Sequence, residues 1–287
     1  MTKYYLAFIF ILGLAACTKT ETNVVPNNVP PPDHTIDSST IVIYLNKTYI
    51  NMLGRKPVGV EQTSAMTALR AHNFSVADRK AFVQTMFAKP EYNRTLLVNA
   101  ENLYLNNTDS VDIANQIYLF NYLLSQPQPP AYVAALTYEV HRLDTLQNAL
   151  SWLNAGIIDY RVMLRTVVNN YLYDEINMGT QNFVTSTFQN FLLRYPTASE
   201  LTNGENMVNS TTAELFLVVG QSKPDYINIF FASDDYIQGQ VQLMFQNYLF
   251  RKPTSAEFAY YANIYKSTND FKQLQLAIFS LDEYAGL

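Results

Sequence analysis

The chain has 287 residues, of which 48% are hydrophobic and only 15% charged, with a formal net charge of −5. That is enough apolar material for one large domain or two modest ones, under a polar surface that rests on Asn, Gln, Ser, Thr and Tyr hydroxyls. No basic tail or stripe is present, which argues against nucleic acid as a partner, because phosphate binding needs clustered Lys and Arg.

The first predicted element is an export signal. Lys3 supplies a positive start, and residues 6–14 (LAFIFILGL) form an apolar run too short to span a bilayer permanently. The run ends in Leu14-Ala15-Ala16-Cys17, which resembles a bacterial lipoprotein lipobox. The resemblance implies cleavage after residue 16, a diacylglyceryl thioether on Cys17 and acylation of the new amino group. Cys17 is the only cysteine, so an intrachain disulfide is excluded. Several acyl chains together give stable anchoring, since each buried CH₂ contributes about 0.8 kcal/mol.

Residues 17–40 follow as a lipidated, disordered tether. They carry Pro26, Pro30, Pro31 and Pro32, no aromatic and few large apolar residues. At about 3.1 Å per residue, such a tether reaches roughly 70 Å from the lipid. The folded domain is expected over residues 41–287, and its pattern is helical. In residues 235–251, Ile237, Val241, Met244, Phe245, Tyr248 and Leu249 form one stripe at 3.6-residue spacing. Residues 81–87, 113–124, 132–143 and 274–281 also read as helix. Hairpin signals are scarce, and only residues 215–219 (LFLVV) suggest a short strand. The expected fold is all-α, a repeat or bundle of stacked helical hairpins.

The repeat is visible directly. The skeleton aromatic-x-Asn-x-Leu-x-Arg-x-Pro-x-x-x-Glu occurs three times, centred on Arg55, Pro57 and Glu61, on Arg194, Pro196 and Glu200, and on Arg251, Pro253 and Glu257. The aromatic and Leu belong to the buried face of a helix that stops before the Pro. Thr197 with Glu200 and Thr254 with Glu257 form capping boxes for the next helix. Val58 and Gly59 deprive the first copy of the hydroxyl. Across the turn, Arg and Glu are expected to close as a charge-assisted clasp, with Arg also covering helix-end carbonyls; the alternative is a ligand-binding cation. A second capping signal is expected at Ser75, at Thr211 before Glu214, and at Thr268-Asn269. An apolar helix then runs to an acid-Tyr pair: Glu91-Tyr92, Asp225-Tyr226 and Glu283-Tyr284. The units are about 41–92, 182–226 and 235–284, with a helical insert over 93–181 broken at residues 127–130 (PQPP).

This repeat resembles poorly characterised helical domains of bacterial exported and surface proteins with an L-x-R-x-P-x-x-x-E … P-E-Y pattern. Some of these sit beside c-type cytochrome domains, but this chain has no C-x-x-C-H and hence no haem attachment. Lipobox, Asn/Tyr-rich composition and Pro-rich tether together look like a Bacteroidota-type outer-membrane lipoprotein, which places the chain in the cell envelope on either face.

Catalytic motifs are lacking. His34, His72 and His141 show no metal-ligand spacing, and there is no G-x-S-x-G, dinucleotide fingerprint or Walker A loop. No cofactor and no metal are expected. The adjacent acids Asp174-Glu175, Asp234-Asp235 and Asp282-Glu283 point apart on a helix; Asp234-Asp235 reads as a helix cap. A hydrolase assembled from distant carboxylates is the least favoured reading. Tyr118, Phe120 and Tyr122, Tyr171 and Tyr173, and Tyr260, Tyr261 and Tyr265 read as core and helix-seam residues; exposed, they would stack on sugar rings. The expectation is a non-catalytic envelope module with a protein partner, a glycan being the alternative.

Overall fold

The computed structural model describes residues 35–287. Among them stand fifteen helices and one two-stranded sheet, the all-α class that the helical spacing predicts. The expected export signal, Cys17 and nearly all of the expected tether lie outside the described residues. The tether boundary needs correcting: α1 (Ser38–Leu53) is capped by Asp37, whose Oδ1 accepts from the Ser39 amide at 3.1 Å, so ordered structure begins before residue 41.

Three helices make one unit. In the first they are α1, α2 (Gly59–Arg70) and α3 (Val76–Phe87), followed by α4 (Glu91–Tyr104). In the third copy of the motif they are α12 (Asp234–Leu249), α13 (Ser255–Thr268) and α14 (Phe271–Phe279), followed by the short α15 (Asp282–Ala285). The middle copy has α9 (Thr180–Leu192), α10 (Ala198–Val208) and α11 (Lys223–Ala232), followed by α12 itself. Consecutive units therefore share a helix: the one that closes the middle unit opens the last. Each first helix ends at the repeat's Leu, at Leu53, Leu192 and Leu249, four residues before the Pro. The next residue turns left-handed in every case, with φ of 68° at Gly54, 55° at Leu193 and 57° at Phe250. Gly adopts this cap freely, whereas Leu and Phe pay about 1–2 kcal/mol for it.

The middle unit departs from expectation. Thr211 and Glu214 do not start a helix, because β1 (Ala213–Leu215) pairs antiparallel with β2 (Val218–Gly220), Leu215 opposite Val218. The LFLVV run is thus two strands and their turn. Phe216 and Leu217 hold φ of 52° and 66°, a turn normally filled by Asn-Gly, so its signal is missing from the sequence. Tertiary contacts secure it instead: Leu215 is buried, Phe216 meets the Phe188 and Phe230 rings, and Asn203 donates to the Glu214 carbonyl at 2.8 Å. The cap is Ser222, which accepts from the Asp225 amide and starts α11. Pro224-Asp225-Tyr226 therefore opens α11, and the acid-Tyr pair that matches Glu91-Tyr92 is Asp235-Tyr236, in the first turn of α12. In the last unit Thr268-Asn269 ends α13, and Asp270 caps α14 through the Lys272 amide at 2.9 Å. The Ser75–Asp78 cap is as expected.

The insert hides a further unit. It contains α5 (Ser110–Leu124), α6 (Pro130–Asn154), α7 (Tyr160–Val168) and α8 (Tyr171–Ile176). Helices α4, α6 and α7 pack on one another as α12, α13 and α14 do. Asp159 caps α7 as Asp270 caps α14, and Tyr160 and Phe271, each the first residue of its helix, stack with centroids 4.1 Å apart. No Arg-x-Pro corner marks this unit; α5 has been added beside α6 and packs almost wholly against it.

The first and last helices of the described region meet. α14 packs on α3 and α15 on α1, while α7 packs on α11, so the units close on themselves rather than stacking in an open row. Arg79, fully buried, donates to the carbonyls of Phe74 (2.8 Å) and Ser280 (3.0 Å) and pairs with Asp282. Tyr44 donates to the Phe279 carbonyl at 3.1 Å, and Asn51 to the Tyr284 hydroxyl at 2.9 Å. The same Asn of the middle copy, Asn190, donates to Tyr173 at 3.1 Å, so both seams use one device.

Candidate functional site

The nine repeat residues form three local clasps. Arg55 donates to both Glu61 oxygens at 2.7 and 3.0 Å, Arg194 to those of Glu200 at 2.8 and 2.7 Å, and Arg251 to those of Glu257 at 2.8 and 2.6 Å. Pro57, Pro196 and Pro253 lie between, fixing the corner that brings the pairs together. The same carboxylates accept from the amides of Val58 (3.1 Å), Thr197 (2.7 Å) and Thr254 (2.8 Å). The first corner has only this half of the box, because Val58 carries no acceptor. Each Arg also donates to the carbonyl of the residue after it, at Lys56, Tyr195 and Lys252, rather than to the helix-end carbonyls expected.

Two further partners were not legible locally. The repeat's aromatic covers the guanidinium face, at 5.6 Å for Tyr49, 4.9 Å for Phe188 and 5.0 Å for Phe245. A second acid from the acid-Tyr position joins each clasp: Glu91 at 2.8 Å, Asp235 at 2.6 Å and Glu283 at 2.7 Å. Hydrogen bonding to Arg251 holds the Glu257 carboxyl down at about 2, and Arg55 and Arg194 likewise lower Glu61 and Glu200. Each cation is thus turned onto acids of its own chain, which is what a corner lock requires.

His34 lies outside the described residues; His72 and the paired acids have ordinary partners. His72, in the turn before α3, meets Asp78 at 2.7 Å, and His141 is exposed on α6. Asp174 takes Arg142 and Lys223; Asp234 takes Lys266 at 2.7 Å, and Ser233 rather than either acid caps α12. Among the described residues, no group of three or more His, Cys, Asp or Glu is placed to hold a metal.

The aromatic candidates divide. Phe120, Tyr173, Tyr261 and Tyr265 are buried, Phe120 edge-on to Tyr171 at 4.8 Å. Tyr118 and Tyr122 are exposed, at 74% and 55%, and they belong to an apolar stretch of surface on α5 and α6. Helix α5 buries only Ile113 and Phe120 fully. Its outer face carries Val111, Tyr118, Leu119 and Tyr122, and the first turns of α6 add Tyr132, Val133 and Tyr138. From residue 111 to residue 138 the only charge is Asp112. A helical hairpin with α6 on one side and open solvent on the other normally carries charge on the open face. Here that face is apolar and tyrosine-rich. Asn115, Gln116, Asn121 and Gln126 supply neutral hydrogen-bonding groups around it. Among the described residues no helix is long and apolar enough to cross a membrane. Comparison with known proteins adds no constraint: the chain matches no family model, no curated protein and no solved structure.

Proposed function

We propose that the protein is a membrane-anchored, non-catalytic envelope lipoprotein that docks another envelope protein through the α5–α6 hairpin. The supporting observation is the exposed face of Tyr118, Leu119, Tyr122 and Tyr132 on the added helix α5 and the first turn of α6, in a stretch whose only charge from residue 111 to residue 138 is Asp112. Tyrosine and leucine give contact area at low conformational cost, and such residues concentrate at interface centres. The partner surface is therefore apolar and neutral, and binding responds weakly to salt. The expected acyl chains on Cys17 hold the domain at the membrane, and the tether sets its reach.

The test is photocrosslinking in intact envelopes with a probe at residue 119, compared with a probe at Lys80 on the exposed face of α3. A discrete protein adduct at 119, lost in Tyr118→Ser/Tyr122→Ser, is expected. Adducts of equal yield at both positions would refute the assignment. A second reading, glycan binding, is favoured by the same tyrosines standing among Asn and Gln, a composition suited to sugar rings. Retention of the wild type on a glycan column, with no protein adduct, would select it.

A further inference from the structure

Arg161, in the first turn of α7, stands apart from the other well-shielded cations. Arg79 pairs with Asp282, and Arg142 with Glu139 and Asp174. Among the described residues no carboxylate pairs with Arg161, and its Nε and Nη2 are shut off from solvent without a hydrogen-bond partner. Its guanidinium lies between the rings of Tyr236 and Tyr265, at 5.6 and 5.3 Å from their centroids. The fully buried Tyr236 hydroxyl and, one turn further along α12, the Gln240 amide nitrogen also lack partners. The Tyr265 hydroxyl sits beside Arg161 and Tyr236 yet completes neither the Nε–Nη2 edge nor the Tyr236 hydroxyl.

Buried donors left without acceptors are costly, by about 1–3 kcal/mol each. The excess here is of donors, so whatever completes the site brings acceptors and negative charge. The Nε–Nη2 edge is the side of a guanidinium that receives a carboxylate with two parallel hydrogen bonds. Arg161 also lines a cavity of about 180 Å³ between α7, α13 and α14. Its walls include Tyr92, Tyr160, Phe271 and Tyr265, with Lys272 adding a second cation. Asp159 and Asp270 reach the same cavity, but each is engaged as a helix cap, accepting from the amides of Val162 at 2.8 Å and Lys272 at 2.9 Å. An apolar cavity of about 150 Å³ is enough to hold a benzene ring.

We propose that this cavity binds a small organic carboxylate, its two oxygens on the Arg161 Nε–Nη2 edge and its body among Tyr92, Tyr160 and Phe271. Entry turns the Arg161 side chain from between the rings toward the cavity it already lines. The aromatic walls select a flat or compact organic monoacid over an inorganic anion, which would offer the rings of Tyr92, Tyr160 and Phe271 no apolar contact.

The experiment is thermal unfolding and calorimetric titration of the full-length protein with benzoate, with neutral benzamide and inorganic phosphate as matched probes. At benzoate about a hundredfold above its dissociation constant, the unfolding midpoint rises by roughly 5 °C or more. Benzamide and phosphate leave it in place. Arg161→Gln retains the aromatic walls and loses at least about tenfold in benzoate affinity, since a charge-assisted bidentate contact is gone. The proposal is overturned if benzoate has no effect on the wild type, if benzamide acts equally, if phosphate binds as tightly, or if folded Arg161→Gln keeps full affinity. The three wild-type titrations decide the matter even if that variant does not fold.

Discussion

Gly239 has the closest surroundings of the described glycines, and replacing it with Ala tests how the units are locked. A Cβ on Gly239 would lie 1.9 Å from the Phe191 carbonyl oxygen, 2.9 Å from its carbon and 3.0 Å from the Leu192 Cα. All three are backbone atoms at the end of α9, so no side-chain rotation relieves the clash. Helix α12 must retreat by about 1 Å to restore van der Waals contact, and the seam holding Phe191, Leu192, Tyr236 and Val241 opens with it. Overpacking of this kind costs about 1–3 kcal/mol, more where backbone must move, while Ala recovers about 1 kcal/mol of helix propensity. The net expectation for Gly239→Ala is a loss of at least about 2 kcal/mol, or roughly 4–8 °C in a domain of this size. Urea and thermal unfolding followed by circular dichroism measure it. Gly59→Ala is the control, because nothing lies within 4 Å of its Cβ position in α2. If Gly239→Ala unfolds within about 0.5 kcal/mol of the wild type, the close α9–α12 seam, and with it the shared-helix architecture, is wrong.

Three further outcomes are expected. Glu101 is buried, and desolvation with the nearby Asp109 pushes its carboxyl up to about 7. A raised acid favours folding below its unfolded value of 4.5 and loses that contribution as pH climbs through about 7, so Glu101→Gln should gain up to about 3 kcal/mol over the wild type at pH 8 and almost nothing at pH 4; parallel pH–stability curves would count against it. Glu257 shifts the other way, so the corner's contribution is present above 4.5 and lost as pH falls toward about 2. Discounted for a pair about one-third exposed, Glu257→Gln should cost about 1 kcal/mol at neutral pH and flatten the acid limb of the unfolding curve. Phe250 holds a left-handed backbone while 81% exposed, so Phe250→Gly should stabilise by about 0.5–1 kcal/mol, and Gly54→Ala at the equivalent cap should destabilise by about 1 kcal/mol, both read by urea midpoint.

Much of the architecture was written locally. The Arg-x-Pro-x-x-x-Glu corner is complete within seven residues: Pro sets the bend, the Thr or the Glu satisfies the first amides of the next helix, and the Arg–Glu pair spans only the turn. Short-range geometry of this kind is independent of the rest of the chain, which is why three clasps could be read from spacing alone. The middle acid-Tyr pair was misplaced for the opposite reason. Asp225-Tyr226 and Asp235-Tyr236 are equivalent as strings, and only the path of α10 through the β-hairpin to α11 decides which one meets Arg194. The hairpin itself has a turn of Phe216 and Leu217 that no local preference favours, so packing against Phe188 and Phe230 selects it.

The candidate surface was half legible. Tyr118 and Phe120 sit two residues apart in an apolar run, and periodicity could not say which would face α6 and which would stay outside. That depends on α5 having one helical neighbour instead of two. Arg161 gave no signal at all, since a lone arginine after an Asp-Tyr pair looks like any solvated cation.

By itself the amino-acid sequence determined the helices, their corners and the clasps, because capping, proline geometry and i to i+6 charge pairing act over one turn of chain. The closing of the last unit onto the first, the burial of Arg79 and the isolation of Arg161 were decided by tertiary structure. Each joins or separates groups far apart along the chain, where burial and mutual packing set the energy and local preference has no hold.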